Sequence, residues 1–123
     1  MLERLLRPKS IALIGGIWAR NVYHQLVKSK YRGDIWPVHP KEKILGTHQC
    51  FRNIKSLPAS PDASFVAVNR FETTRIIREL SKIDSGGAIC FASGYSESAG
   101  EETDAKSKLL ESELLKASGN MPI

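Results

Sequence analysis

Residues 10–18 read SIALIGGIW, and this stretch indicates the fold class. The segment from Ile11 to Ile14 is a continuous apolar run of strand length, and Gly15 and Gly16 follow it directly. A buried strand that runs into a glycine turn is typical of the first strand of a nucleotide-binding α/β domain. The GxGxxG spacing of dinucleotide-binding domains is absent, because the third glycine, which packs the helix on the strand, is missing.

Further apolar runs and helical periodicity alternate along the rest of the chain. Residues 47–60 are irregular, with one helical turn around NIKSL, and LERLL predicts a short N-terminal helix. We expect an α/β, Rossmann-like parallel sheet of about five strands in the order 3-2-1-4-5, with helices on both faces and a truncated last strand. The predicted strands after the first are 34–38, 63–68, 88–92 and the opening of a fifth at 121–123, and the predicted helices are 20–32, 71–83 and 101–118.

Length, charge and cysteine content limit the function classes. With 123 residues, positions 1–123 form one domain. The net charge of +5 fits a basic solvated surface or a phosphorylated ligand, and without a dense basic stripe or an RNA-binding motif we expect no nucleic-acid partner. Cys50 and Cys90 form no CxxC motif, which disfavours zinc and a disulfide framework and suits the cytoplasm. We expect neither a signal peptide nor a membrane span.

Ligands of such sheets bind beyond the carboxyl ends of the strands, which directs attention to four loops. The first loop offers a turn and free helix N–H groups to a phosphate. The second contains Lys41 where NAD-binding folds carry an acidic residue, so it favours a ligand with a phosphorylated ribose, either NADP or coenzyme A (CoA). The candidate residues of these two loops are Gly15, Gly16, Ile17, Trp18, Ala19 and Arg20, then His39, Pro40 and Lys41.

Four segments, taken in order, resemble one known family. They are RPKSIALIGG at 7–16, GDIWPVHPKEKILG at 33–46, SLPASPDASFVAV at 56–68 and AICFASGYSESAGEE at 88–102. Together they are similar to the CoA-binding domain of the NDP-forming (ADP-forming) acyl-CoA synthetases, a family related to the succinyl-CoA synthetase α subunit. Three departures are Ile17 for a serine, His39 for an asparagine, and Val68-Asn69-Arg70 for Val-Pro-Ala.

This resemblance implies CoA or acyl-CoA as the ligand. It implies that the glycine loop approaches the phosphates and that Lys41 meets the phosphorylated ribose. Two later groups of residues would then line the adenine or pantetheine path and guide the pantetheine arm. These are Val68, Asn69 and Arg70 at the end of the third predicted strand, and Ala92, Ser93 and Gly94 at the end of the fourth.

The resemblance also implies a fragment of a larger, multidomain synthetase that binds without turnover. The phosphohistidine of that family belongs to another domain, and His24 and His48 are interpreted here as structural or solvated, so we expect no catalytic residue and no metal ligand in 1–123. Two alternatives stay open: an acyl-CoA-sensing domain of a protein lysine acyltransferase, and a stand-alone CoA-binding protein. An NAD(P)-dependent oxidoreductase is disfavoured. The expected partners are CoA and other domains or subunits of the synthetase, and a homo-oligomer stays open.

Overall fold

The computed structural model describes residues 3–90, 115–119 and 121–123. Residues 115–118 are also helical. The three named helices are α1 (Glu3–Leu6), α2 (Ile17–Lys28) and α3 (Arg70–Lys82), and a 3₁₀ turn spans Ile54–Ser56. The strands are β1 (Ser10–Gly15), β2 (Asp34–Val38), β3 (Ile44–Leu45), β4 (His48–Gln49), β5 (Ala63–Ala67) and β6 (Ala88–Cys90).

Four strands form a parallel sheet in the order β2-β1-β5-β6. The apolar run that begins at Ile11 lies in β1, which is flanked on both sides and holds Leu13 at the centre of the core. Near-continuous apolar strands are expected where helices cover both faces of a sheet. The predicted Rossmann-like α/β class is confirmed.

The predicted strand order needs a correction. It placed the strand at 63–68 outside β2, whereas β5 pairs with β1. The outer position beside β2 is occupied by a single bridge between Val38 and Phe51. Phe51 donates its N–H to the Pro37 carbonyl at 2.7 Å, and His39 donates its N–H to the Phe51 carbonyl at 2.8 Å. This one-residue bridge has no apolar run of its own, so the sequence pattern did not reveal it. The segment at 63–68 was therefore counted as the third strand and placed beside β2, where the bridge lies.

The two long helices pack on opposite faces of the sheet. Leu13 and Ile35 form one cluster with Ala19 and Tyr23 of α2. On the other face, Ile14 and Val66 pack with the α3 stripe and with the 3₁₀ turn. The side-chain oxygen of Asn69 accepts the Glu72 N–H at 2.9 Å and so caps the start of α3.

The predicted ends of α2 were wrong at both sides. The helix begins at Ile17 rather than at residue 20, so only Gly16 separates α2 from β1, which ends at Gly15. It ends at Lys28, and Lys30 takes the left-handed conformation with a φ of 60°. Gly33 lies beyond this turn and is not the residue that follows the helix end, as its sequence position had suggested.

The end of the chain lies beside β6. Ala88 donates its N–H to the Pro122 carbonyl at 2.9 Å, although residues 121–123 are not assigned as a strand. Ala117 and Met121 are buried in the core cluster on the α3 face. The predicted helix at 101–118 falls mostly outside the described residues. No helix within the described ranges is long and apolar enough to cross a membrane.

Candidate functional site

Gly15, the last residue of β1, and Gly16 form a glycine turn at the carboxyl end of the sheet, where the chain passes from β1 to α2. Gly15 has a φ of +134°, and a Cβ there would overlap the backbone carbonyl of Ala67 on β5. Gly16 is the N-cap of α2, and apart from its two neighbours in the chain no atom lies within 4 Å of the position that a Cβ would take. Gly15 therefore allows two strands to approach closely, whereas Gly16 leaves open space at the start of the helix.

A cavity of about 260 Å³ opens on the α2 side of these glycines, and we call it the hairpin cavity. One of its walls is the antiparallel hairpin of β3 and β4, through Ile44 and Leu45, with Cys50 following. The other residues that line it are Leu13, Gly15 and Gly16, Ala19 and Arg20 of α2, and His39 and Glu42 from the loop after β2.

A second cavity of about 310 Å³ opens on the α3 side, and we call it the α3 cavity. Its apolar floor comes from the ends of three strands, the 3₁₀ turn and one turn of α3: Ile14, Val38, Ile54, Val68 and Ile76. Arg52, Asn53, Glu72, Arg75 and Glu79 add polar groups, and Pro40 completes the lining. Gly15, Gly16 and His39 line both cavities, so the two spaces meet at the glycine turn.

His39 shapes the turn that follows β2. Its Nδ1 atom accepts the N–H of Lys41 at 3.0 Å and the N–H of Glu42 at 2.9 Å. An acceptor that takes the N–H groups two and three residues ahead is the arrangement that asparagine provides in an Asx turn. The imidazole thus supplies an acceptor of the kind that an asparagine side chain provides in such turns, and it holds a defined turn before Lys41.

Charges inside the two cavities are nearly balanced. Arg75 of the α3 cavity forms ion pairs with Glu72 and with Glu79. The hairpin cavity is lined by one positive side chain, Arg20, and one negative side chain, Glu42. Lys41 and Lys43 are exposed on the loop that borders the hairpin cavity, and neither lines the hairpin cavity or the α3 cavity. The positive charge predicted for this site is therefore at its rim.

The structure brings most of the described candidate residues to this edge of the sheet. Gly15, Gly16 and His39 line both cavities; Ala19 and Arg20 line one, and Pro40 and Val68 line the other. Trp18 is exposed on the first turn of α2 and lines neither. Ile17 and Arg70 begin α2 and α3, and Asn69 is the cap of α3. Ala92, Ser93 and Gly94 lie outside the described residues.

Sequence reasoning missed several lining residues. Arg52 follows β4, and Glu72 and Arg75 lie on α3, where their spacing resembles that of ordinary surface ion pairs. Cys50 lies against the hairpin cavity; burial raises the pKa of its thiol, nearby Glu42 raises it further and Arg20 opposes them. Cys90 packs beside the core, and burial raises its pKa to about 11. Neither cysteine forms a disulfide.

The two histidines expected to be structural or solvated have different surroundings. His24 is exposed on α2. His48 is half-buried in β4, and its Nδ1 atom lies 2.8 Å from the hydroxyl oxygen of Tyr23. Across residues 3–90, 115–119 and 121–123 we find no group of three or more histidine, cysteine or acidic side chains placed to hold a metal ion.

A parallel sheet with a glycine turn and two cavities at its carboxyl edge places the molecule among the Rossmann-like α/β domains. Comparison with protein families then identifies the particular group. A family model described as "CoA binding domain" matches residues 9–114. The chain belongs to this family of CoA-binding domains.

The curated relatives that this chain matches are much longer proteins. The chain is 34% identical over 106 residues to trans-feruloyl-CoA synthase FCS1 from an unknown prokaryotic organism, covering 82% of this chain and 15% of the relative. It is 26% identical over 111 residues to the acetate–CoA ligase [ADP-forming] of Methanocaldococcus jannaschii, covering 87% and 16%. The chain therefore spans about a sixth of the length of these relatives.

Solved structures share the fold. The apo form of a dinucleotide-forming acetyl-coenzyme A synthetase 1 from Ca. Korarchaeum cryptofilum matches 96% of this chain and 25% of its own, with a TM-score of 0.79 and 21% identity. Prb, a protein redesigned for binding, matches 99% of this chain and 80% of its own, with a TM-score of 0.69 and 18% identity. The same fold thus occurs in a chain little longer than this one.

Proposed function

We propose that this chain binds CoA or an acyl-CoA across the glycine turn at the carboxyl edge of its sheet. The observation that carries the proposal is the position of Gly15 and Gly16, which line both cavities, in a chain of the CoA-binding family. CoA is an elongated molecule with a diphosphate between its adenosine and its pantetheine arm. A ligand of that shape can place one part in each cavity and its diphosphate over the glycines.

The start of α2 suits the diphosphate. The first N–H groups of a helix lack partners within the helix and carry the positive end of its dipole. Gly16 offers no side chain that would occupy these groups or block the approach of a phosphate. Arg20, one turn into α2, lines the hairpin cavity and adds a full positive charge.

The loop after β2 suits the phosphorylated ribose. The His39 ring holds the backbone of Lys41 in a defined turn, and the side chains of Lys41 and Lys43 are exposed beside the hairpin cavity. A lysine ammonium forms charge-assisted hydrogen bonds with phosphate oxygens. NAD has no phosphate on the 2′ or 3′ position of its adenosine ribose, whereas CoA has a 3′-phosphate, so this loop favours CoA over NAD.

The parent protein is proposed to be an ADP-forming acyl-CoA synthetase in which this domain presents CoA to other domains. Both curated relatives carry names of CoA ligases or synthases, and both are about six times longer than the matched region. This support favours the ligase over a lysine acyltransferase or a stand-alone binding protein. The catalytic groups of such an enzyme would lie outside this chain.

Titration calorimetry with CoA, dephospho-CoA and NAD tests the proposal. We expect CoA to bind most tightly, and Lys41→Ala to weaken CoA about tenfold, the effect of losing one hydrogen bond between charged groups, with little change for dephospho-CoA. Lys28→Ala, which removes an exposed lysine at the other end of α2, is the control and should leave the affinity unchanged. Equal binding of CoA and dephospho-CoA by the unaltered chain would contradict the role of Lys41, and no CoA binding would contradict the proposal itself.

A further inference from the structure

The β3–β4 hairpin, residues 44–49, forms a wall of the hairpin cavity although it is a minimal piece of sheet. Each of its strands has two residues, paired as Ile44 with Gln49 and Leu45 with His48. An isolated two-stranded hairpin is marginally stable at best in water. Its position against the cavity must therefore depend on contacts with the rest of the domain.

Tyr23 of α2 supplies a polar contact that holds the hairpin. Its hydroxyl oxygen accepts the N–H of Thr47 at 3.2 Å and lies 2.8 Å from Nδ1 of His48, to which it can donate its own proton. The Tyr23 side chain is 3% exposed and packs with Leu45 in the core cluster of the α2 face. The rings of Tyr23 and His48 meet edge to face, with centroids 5.3 Å apart.

Gly46 makes the close approach possible. It has a φ of +59°, and a Cβ at this position would overlap the Tyr23 ring and hydroxyl. The turn of the hairpin thus lies directly on the hydroxyl of a buried tyrosine. None of the residues at the Tyr23 hydroxyl (Tyr23 itself, Gly46, Thr47 and His48) lines the hairpin cavity, so this hydroxyl acts on the cavity only through the hairpin.

We propose that Tyr23 is a positioning residue of the CoA site, because its hydroxyl holds the β3–β4 hairpin in place as the outer wall of the hairpin cavity. This inference rests on the proposed function and adds that part of the ligand occupies this cavity, against Ile44, Leu45 and Cys50. Without the Tyr23 hydroxyl, a smaller fraction of the molecules has the hairpin positioned against the cavity. The apparent dissociation constant rises in inverse proportion to that fraction.

The binding test compares two tyrosine variants that each lose one hydroxyl. Tyr23→Phe should raise the dissociation constant for acetyl-CoA about fivefold to tenfold, the effect of losing about one net hydrogen bond from the closed arrangement. Tyr31→Phe is the matched control, because the Tyr31 hydroxyl donates to the Pro8 carbonyl at 2.9 Å beside the amino end of β1. Gly46→Ala, which separates the hairpin from Tyr23 by a different route, should weaken binding in the same direction.

Alkylation of Cys50 gives a second readout that a general loss of stability would not reproduce. Cys50 lines the hairpin cavity, so Tyr23→Phe should increase its rate of reaction with iodoacetamide several-fold, measured by peptide mass spectrometry at one fixed pH. The rate at Cys90, which packs against the core on the opposite face of the sheet, should not change. Acetyl-CoA, which has no free thiol, should protect Cys50 in the unaltered chain.

The outcomes separate this inference from the proposed function. If acetyl-CoA binds but neither protects Cys50 nor binds more weakly to Tyr23→Phe than to Tyr31→Phe, the inference is overturned and the proposed function stands. If acetyl-CoA and CoA fail to bind the unaltered chain, both are overturned. Weaker binding to Tyr23→Phe together with faster alkylation of Cys50 and protection by acetyl-CoA supports the inference.

Discussion

At the scale of single residues, two adjacent glycines have different physical reasons to be glycine. Gly15 combines a positive φ with the carbonyl of Ala67 at its back, so any side chain would force β1 and β5 apart. Gly16 has an ordinary negative φ and open space around it. The fold thus requires a glycine at position 15, whereas the surroundings of position 16 leave room for a side chain.

We therefore expect opposite results from two alanine substitutions. Gly15→Ala should lower the stability of the fold by more than about 2 kcal/mol, through backbone strain and the clash with β5, measured as the denaturant midpoint. Gly16→Ala should leave that midpoint nearly unchanged but weaken CoA, because the methyl group enters the space proposed for the diphosphate. A Gly16→Ala chain that binds CoA as well as the unaltered chain would show that the ligand does not cross this turn.

Replacement of the family's asparagine by His39 also has a residue-scale explanation. The structure shows that Nδ1 of His39 accepts the same kind of N–H pair, from Lys41 and Glu42, that an asparagine oxygen would accept. A histidine can thus accept these two N–H groups as an asparagine would, and the geometry of the turn shows this where the sequence alone does not.

At the scale of secondary-structure elements, the strands and helices with periodic apolar patterns were predictable. The run beginning at Ile11 and the α3 stripe that includes Ile77 gave the correct elements within a few residues. The β3–β4 hairpin was not predictable, because its two-residue strands have no periodic pattern. It forms against Tyr23, more than 20 residues away in sequence, and such long-range contacts leave no local signal.

The short helix α1 is held to the amino end of the sheet by Asp62, which precedes β5. Asp62 accepts the Nε–H of Arg4 at 2.8 Å and the N–H of Lys9 at 2.8 Å. The hydrogen bond from Arg4 is the main cause of a lowered pKa for Asp62, and the Lys9 N–H and both positive charges add to it, while burial partly opposes them. Because the carboxyl has a lower pKa in the folded chain than in the unfolded one, its ionisation stabilises the fold.

This stabilisation should be complete above the ordinary aspartate pKa of 3.8 and disappear as the pH falls through the lowered pKa of the folded chain. Asp62→Asn should therefore cost about 1 kcal/mol near neutral pH, a modest value because the Arg4 side chain is 44% exposed. The difference from the unaltered chain should shrink below pH about 4, where aspartate is protonated in the unfolded chain. Melting curves measured across this range check the effect.

Asp34→Asn is the control for this titration, since it removes an exposed carboxyl from the neighbouring amino end of β2. It should have little effect on melting at either end of the pH range. A constant gap between the unaltered chain and Asp62→Asn down to strongly acidic pH would show that the ionised carboxylate is not what stabilises this contact.

At the scale of the whole molecule, the two ends of the sheet carry different features. The carboxyl edge carries the glycine turn, both cavities and the two rim lysines, whereas the amino edge holds the contact between Arg4 and Asp62.

The parallel architecture and the edge that carries the cavities could be predicted from the alternation of strands and helices in the sequence. The strand order could not, because the bridge at Phe51 is visible only once the chain is folded. That Arg52, Glu72 and Arg75 line the α3 cavity could not be predicted either, because these residues come together only in the folded chain.

The central claim is that CoA binds at the carboxyl edge of the sheet, and amide NMR spectra recorded during a CoA titration test it most directly. We predict the largest chemical-shift changes in 15–20 and 39–45, and small changes in 7–9, 30–34 and 84–87 at the opposite edge. Saturating CoA that leaves the amides of Gly15, Gly16 and Lys41 unshifted, or shifts concentrated at the amino edge, would contradict the account.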